Sequence, residues 1–275
     1  MQISAKVIQH SKSIAGVEIV TMELVYPRFI HSEFMTHRVF SRNAASSRAI
    51  PIEKMLEQVS TDPAMPVHWG ANQPGMQADN QVEDVGKARD LWSGAALLAT
   101  HAARQMSDIG LHKQVVNRIL EPYQWMKTIV TATEWDNFFE LRCHKDAQPE
   151  IQELAMQIED ALCESSPMLL EEAGEWHVPY VDRHRNPSGD LGYFTGDIEV
   201  THEQALKISA SCCAQVSYRK LDDGLDKARV IYDRLIGSKP AHASPFEHQA
   251  SPLAFGRTYS GNFRGWRQYR KLLKL

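Results

Sequence analysis

Between Phe34 and Arg48 the chain runs Phe-Met-Thr-His-Arg-Val-Phe-Ser-Arg-Asn-Ala-Ala-Ser-Ser-Arg, with one imidazole, three guanidiniums and three serine hydroxyls in fifteen residues. A guanidinium is a planar fork of donors that grips a phosphate or a carbonyl-rich ring with two bonds at once. Serines beside arginine supply the short hydroxyls of a phosphate-gripping turn. Ser46, Ser47 and Arg48 are therefore candidates for a nucleotide phosphate, with His37, Arg38 and Asn43 close by in sequence. The alternative is a basic surface helix running into a Ser-rich loop. A second group follows at Asn137-Phe-Phe-Glu-Leu-Arg142, where Trp135, Phe138 and Arg142 share one helical face at i, i+3, i+7. An aromatic stripe of that spacing is usually core, and an arginine on it is a second candidate anion contact. Asn137 lies about 140° around the same helix. Arg118, near the end of another expected helix, is either a third cation for the site or a solvated charge favoured by the helix dipole.

Elements must hold these groups in place. Residues 17–26 alternate as a strand, with Val20, Met22, Leu24 and Tyr26 on one face. A short helix over 28–37 would put Ile30, Phe34 and His37 on one side and carry His37 inward, as a satisfied core histidine or as a ligand contact. Residues 49–80, broken by four prolines, read as loop with a helical turn or two at 52–59. Helices are expected over 82–108, with Val85, Ala88, Leu91 or Trp92, Ala95 and Ala99 on the apolar face, and over 111–120, within 123–143 and over 148–164. Residues 165–200 read as an irregular connector in which Val178-Pro-Tyr-Val forms an extended edge. Thr201 with Gln204 predicts a capping box that opens a helix, and a further helix spans 224–236. The octapeptide Ala241–His248 reads as a turn. A basic, aromatic run from Phe255 to Lys271 is either a working part of the protein or a solvated end.

The whole chain narrows the classes. Its 275 residues suffice for one elaborated domain or two intimate ones, and a formal charge of −4 opposes general nucleic-acid binding while leaving room for a local basic pocket. Four cysteines without a CxxC pair suit a reduced, cytoplasmic chain. Twelve histidines without HExxH or His/Cys spacing give no metal site. No signal peptide and no apolar run of membrane-spanning length is seen.

Three stretches together resemble the flavin-dependent thymidylate synthases. They are Thr36-His37-Arg38 followed after seven residues by Ser46, Asn137–Arg142 leading into Ala147-Gln-Pro-Glu-Ile151, and Ser244-Pro-Phe-Glu-His248. Ala214–Tyr218 and Ser244–His248 come after the arginine motif here and before it in the family, an order that looks like a circular permutation within a single domain spanning 1–275. The resemblance implies an α+β fold with a small, mostly antiparallel sheet and a large helical part. It also implies FAD, NADPH and methylenetetrahydrofolate, the substrate dUMP and a homotetramer. By position, Glu33, Ser46, Ser47, Arg48, Arg118 and Arg142 would meet the nucleotide, with Arg142, Ser46 and Arg48 carrying the chemistry. His37, Arg38, Asn43, Asn137 and His248 would lie on the flavin side. The chain departs from the family at Thr36 (usually Arg), Ala44 (usually acidic), Glu33 (usually Gln), and Thr131 and Thr133 (usually Asn and Arg). Arg264 and its neighbours Asn262, Arg267, Gln268 and Arg270 are expected to replace the lost cations. These departures also admit 5-hydroxymethylation of dUMP, modification of dCMP, or a non-catalytic nucleotide-binding homologue.

Overall fold

The computed structural model describes residues 1–171, 174–217 and 221–274. Its centre is a five-stranded sheet of β1 (Ser4–Ser13), β2 (Glu18–Pro27), β3 (Ser41–Ala44), β4 (Trp125–Ala132) and β5 (Met168–Leu170), in the order β3-β4-β2-β1-β5. All neighbours are antiparallel except β1 with β5. This α+β arrangement is the one expected. β2 also follows the alternation read from its sequence, since Val20, Met22, Leu24 and Tyr26 are all buried in one cluster.

That cluster fills the space between the sheet and three helices: α1 (His31–Phe34), α5 (Asp136–Arg142) and α6 (Pro149–Cys163). Phe34, Phe40, Trp135 and Phe138 interlock there, with ring centroids 4.7–6.2 Å apart. A satellite cluster joins α2 (Ile52–Thr61), α3 (Val85–Asp108) and α4 (Lys113–Val116). The opposite face of the sheet is covered by α7 (His202–Ala214) and by segments that follow residue 175. α8 (Leu225–Gly237) packs on α7. Thr201 and Gln204 form the full capping box.

The structure departs from the expectations, or adds to them, in six places. The 28–37 helix is a 3-10 turn, Arg28–Ile30, followed by one α turn ending at Phe34. The 111–120 helix shrinks to Lys113–Val116, because the Asn117 side chain leaves the helix to donate to the carbonyls of Ser47 and Ile50 at 2.7 and 3.0 Å. Within 123–143 the expected helix forms as α5, and the first half of the range is an unexpected strand. The β-branched run Thr128–Thr131 forms β4, and β1 is a further strand. On α3 the fully buried residues are Ala96, Thr100 and Ala103; of the expected face Val85, Ala88, Trp92 and Ala99 are half-buried, Ala95 is exposed, and Leu91, the alternative to Trp92, is 67% exposed. The connector is folded as β6 (Asp182–Arg185), β7 (Leu191–Thr195) and β8 (Ile198–Val200), a three-stranded antiparallel sheet. Val178–Val181 is a turn, with Tyr180 at φ 70°. Gln9, beside a bulge of β1, uses its amide to bond the Val178 N–H at 2.6 Å and the Val181 carbonyl at 2.9 Å, in place of a neighbouring strand.

The basic tail is folded too. β9 (Ala250–Pro252) pairs with β12 (Trp266–Gln268), and β10 (Tyr259–Ser260) with β11 (Phe263–Arg264). Phe263 and Trp266 are fully buried beside Ile19 and Leu170. Of the segment Ala214–Tyr218, Tyr218 lies outside the described residues.

Candidate active site

α5 presents Arg142 on the stripe with Trp135 and Phe138, and α1 ends where His37 turns inward beneath it. Arg142 Nε donates to His37 Nε2 at 3.0 Å. The tip of the fork makes only long contacts, Nη1 to Glu33 Oε2 at 3.4 Å and Nη2 to Thr36 Oγ1 at 3.3 Å. Charge-assisted bonds of full strength are about 2.7–2.9 Å. The guanidinium is thus anchored at its base and weakly engaged at its tip, where an anion or a ring carbonyl can take over. Glu33 and Arg142 line a cavity of about 1020 Å³ with Phe29, Trp92, Lys145 and Gln148.

His37 is buried, 6% exposed, between the rings of Phe40 and Phe138. Burial first, then Arg142 and Arg42, lower its pKa to about 4, so it is neutral at pH 7 and free to accept from Arg142. His31, bonded to the Tyr26 hydroxyl at 2.9 Å, is lowered to about 4, and fully buried His248 to about 3, in both cases chiefly by burial. Each of these groups binds its proton more readily when the chain is unfolded. Stability is therefore expected to be full above pH 6.5 and to fall as pH drops towards 4. Urea midpoints measured between pH 7 and 5, above most of the carboxylate range, should decline steadily; a flat profile would contradict these assignments.

A second group of bonds holds the serine–arginine turn. Ser47, 4% exposed, donates to Glu121 Oε1 at 3.0 Å. The same oxygen pairs with Arg118 Nη1 at 2.9 Å and Arg28 Nη2 at 3.0 Å. Ser46 is half-buried, Arg48 is exposed, and the Arg118 side chain is 54% exposed. Two cations converge on one carboxylate, an arrangement in which a phosphate could compete for them.

The third group lies at the free edge of the sheet, on β3. Asn43 Nδ2 donates to the Cys213 carbonyl at 3.0 Å. His248 Nδ1 lies 2.8 Å from Thr131 Oγ1. The tail arrives beside Thr133 and β3: the Arg264 N–H donates to Thr133 Oγ1 at 2.9 Å, Gln268 Nε2 to Ser41 Oγ at 3.2 Å, and Arg270 pairs with Glu247. The Arg264 guanidinium lies beside Glu134, with Nε 3.7 Å from Oε1. Arg267 faces solvent.

The structure thus joins His37, Glu33 and Arg142, joins Ser47 and Arg118 through Glu121, and brings His248 and Arg264 to the two substituted threonines. Arg38 and Asn137 are exposed and Ala44 is half-buried on β3. Sequence reasoning missed Arg28, Asn117 and Glu121. The Arg118-x-x-Glu121 spacing was the one local signal among them. No group of three or more potential metal ligands occurs among the described residues, and no described helix is long and apolar enough to cross a membrane.

The fold and these bonds define an α+β protein with one guanidinium, that of Arg142, anchored at its base and loosely engaged at its tip beside a large cavity. Residues 4–168 match the family described as Thymidylate synthase complementing protein. The chain belongs to that family, the flavin-dependent thymidylate synthases, and is a thymidylate synthase-like methyltransferase. No curated protein matches it. Among solved structures it is similar to the UMP/dUMP methylase PolB from Streptomyces cacaoi bound with 5-Br dUMP, at 16% identity over 61% of this chain and 91% of that one, with a TM-score of 0.49. The same enzyme bound with 5-Br UMP matches at 17% identity over 61% of this chain and 90% of that one, with a TM-score of 0.48. The matched residues end before Ser244–His248, so the third motif reaches Thr131 through the fold rather than through the matched order. His248 Nε2, Gln249 Oε1 and Arg264 Nε are buried polar atoms without a hydrogen-bond partner among the described residues, and such unpaired groups suit a polar cofactor.

Proposed function

We propose that the protein transfers a one-carbon group to C5 of a deoxypyrimidine monophosphate, most simply converting dUMP to dTMP. The observation that carries this reading is Arg142, fixed by His37 at its base and loosely held at its tip beside the large cavity. A guanidinium against a pyrimidine carbonyl stabilises the negative charge that develops on the ring as C5 becomes nucleophilic. Neutral His37 keeps that guanidinium oriented. Ser46, Ser47 and Arg48, with Arg118 released from Glu121, would hold the phosphate. Asn43, His248 and Arg264, with Arg38 and Asn137 at the surface, would hold FAD. When bound, the flavin supplies hydride, obtained from NADPH, to reduce the methylene group delivered by methylenetetrahydrofolate.

A homotetramer would let exposed Arg38, Arg48 and Asn137 meet a neighbouring subunit. The exposed leucines of α3, Leu91, Leu97 and Leu98, support association. The late position of Ser244–His248 supports a circularly permuted chain. The four free cysteines support a reducing, cytoplasmic location.

Glu33 favours a second reading. Its carboxylate stands beside Arg142 at the cavity, and a carboxylate accepts well from the exocyclic amine of cytosine. The test offers dUMP and dCMP together, with FAD, NADPH and methylenetetrahydrofolate, and identifies the nucleotides by mass spectrometry. Methylated dUMP is the expected product. A 5-hydroxymethyl product or a modified dCMP would move the assignment to the second reading, and no product with either nucleotide would leave a binding role.

A further inference from the structure

Behind the central sheet, six side chains, each no more than 7% exposed, form one unbroken line of hydrogen bonds. Arg183 Nη1 donates to Ser11 Oγ at 2.9 Å, and Ser11 Oγ lies 2.7 Å from His177 Nδ1. His177 Nε2 lies 2.8 Å from Thr21 Oγ1, which lies 2.7 Å from Thr131 Oγ1. Thr131 Oγ1 lies 2.8 Å from His248 Nδ1, and there the line stops, because His248 Nε2 has no partner among the described residues. Elements from both ends of the chain build it: β1, β2 and β4 supply the hydroxyls, and β6 and the segments around His177 and His248 supply the rest.

Such a line can carry its protons in either direction, and the direction decides what His248 offers. Each hydroxyl has one proton to donate, and each neutral imidazole has one N–H and one lone pair. Both imidazoles are neutral at pH 7: burial holds His177 well below its ordinary value and His248 near 3. Arginine breaks the tie, since a guanidinium only donates. With Arg183 donating to Ser11, the Ser11 proton has His177 Nδ1 as its acceptor. His177 must then carry its proton on Nε2 and donate to Thr21, Thr21 donates to Thr131, and Thr131 donates to His248 Nδ1. In the opposite direction the Ser11 oxygen would receive two donors and its own buried proton would have no acceptor in the line, a penalty equivalent to a bias of about tenfold or more.

We infer that Arg183 fixes the polarity of this buried line and so holds His248 as its Nε2–H tautomer, a neutral hydrogen-bond donor for an acceptor atom of a bound ligand. Arg183, Ser11, His177 and Thr21 are then positioning residues that act through Thr131. The ligand atom that suits the donor is a carbonyl oxygen or an unprotonated ring nitrogen, as on the edge of a heteroaromatic cofactor. Only this last step rests on the flavin reading; the tautomer stands on the bonds alone.

The test is long-range proton–nitrogen NMR of the full chain labelled with 15N-histidine and free of ligand, with His177 and His248 assigned through His177→Gln and His248→Gln. Both rings should show a protonated Nε2 and a bare Nδ1, with the other tautomer below about a tenth. A protonated Nδ1 or a doubly protonated ring at either position at pH 7 would overturn the inference. Arg183→Leu removes the one group in the line that can only donate, so Ser11 Oγ no longer has a fixed donor on that side. The share of Nδ1–H tautomer at His248 should then rise at least fivefold, while Arg183→Lys, which still donates, should keep the native ratio. An unchanged ratio in folded Arg183→Leu would remove Arg183 from the role, and if that variant does not fold, the unmodified protein's spectrum still decides. Adding FAD to the same sample separates the two readings. A shifted His248 Nε2–H signal is expected, and an unmoved one would count against the flavin reading without touching the tautomer.

Discussion

Arg142→Ala is expected to lower kcat/KM for dUMP about 10²–10³-fold, the usual cost of removing a donor that meets charge developing in a transition state. Most of the loss should fall on kcat, because the tip of this guanidinium is weakly engaged before the ring becomes negative. Arg142→Lys should recover little. An ammonium can reach the cavity but cannot also donate from a fixed Nε to His37 while presenting a planar fork. Glu140→Ala, on an exposed position of the same helix, is the control and should turn over normally. Arg48→Ala should act differently, raising KM by about tenfold or more as one charge-assisted phosphate contact is lost. Steady-state kinetics on the four variants separate these outcomes. Undiminished turnover in Arg142→Ala would dismiss Arg142 from the chemistry, and an unchanged KM in Arg48→Ala would dismiss the serine–arginine turn as the phosphate site.

The inward direction of residues at helical spacing could be read from the sequence, even over 28–37 where a continuous helix does not form. Ile30, Phe34 and His37 are three and four residues apart and all are buried, as are Trp135 and Phe138 beneath Arg142. Periodicity reports on which way a residue faces, and for these positions the core decided the direction. It does not report on what lies opposite. His177 and Arg183 fall in a stretch punctuated by Pro and Gly that reads as a connector, yet their partners, Ser11 and Thr21, are more than 150 residues away. Asn117 was hidden for a related reason: its neighbours suggested a longer helix, and only the carbonyls of Ser47 and Ile50 explain why the helix stops. The strand β4 was lost because the Thr-Ile-Val-Thr run adjoins an aromatic helix, and the two patterns merged into one apparent segment. Charge composition allowed a local basic pocket but could not reveal that Glu121 gathers Arg28, Arg118 and Ser47 onto one oxygen.

Trp266→Ala is expected to destabilise the fold by about 3–5 kcal/mol, the range for deleting a buried tryptophan side chain. The indole is fully buried among Ile19, Leu170, Ala250 and Phe263, lies edge-on to His177, and donates to the Val17 carbonyl at 3.2 Å. Removing it opens a cavity at the join between the central sheet and the β9–β12 pair, a join too tightly buried to collapse. Gly265 next to it sits at φ 72°, and a Cβ there would come within 2.9 Å of Val17, so the turn that aims the indole has no slack either. Phe255→Ala, 77% exposed in the same segment, should change stability by less than about 0.5 kcal/mol. Urea or guanidinium midpoints on the two variants make the comparison. A solvated basic end would give two small effects of equal size. A folded one, which holds Arg264 and Gln268 against β3 and Thr133, gives a large difference between them. On the proposed role of Arg264 in holding FAD, Trp266→Ala should also weaken retention of FAD at temperatures where the rest of the protein is still folded.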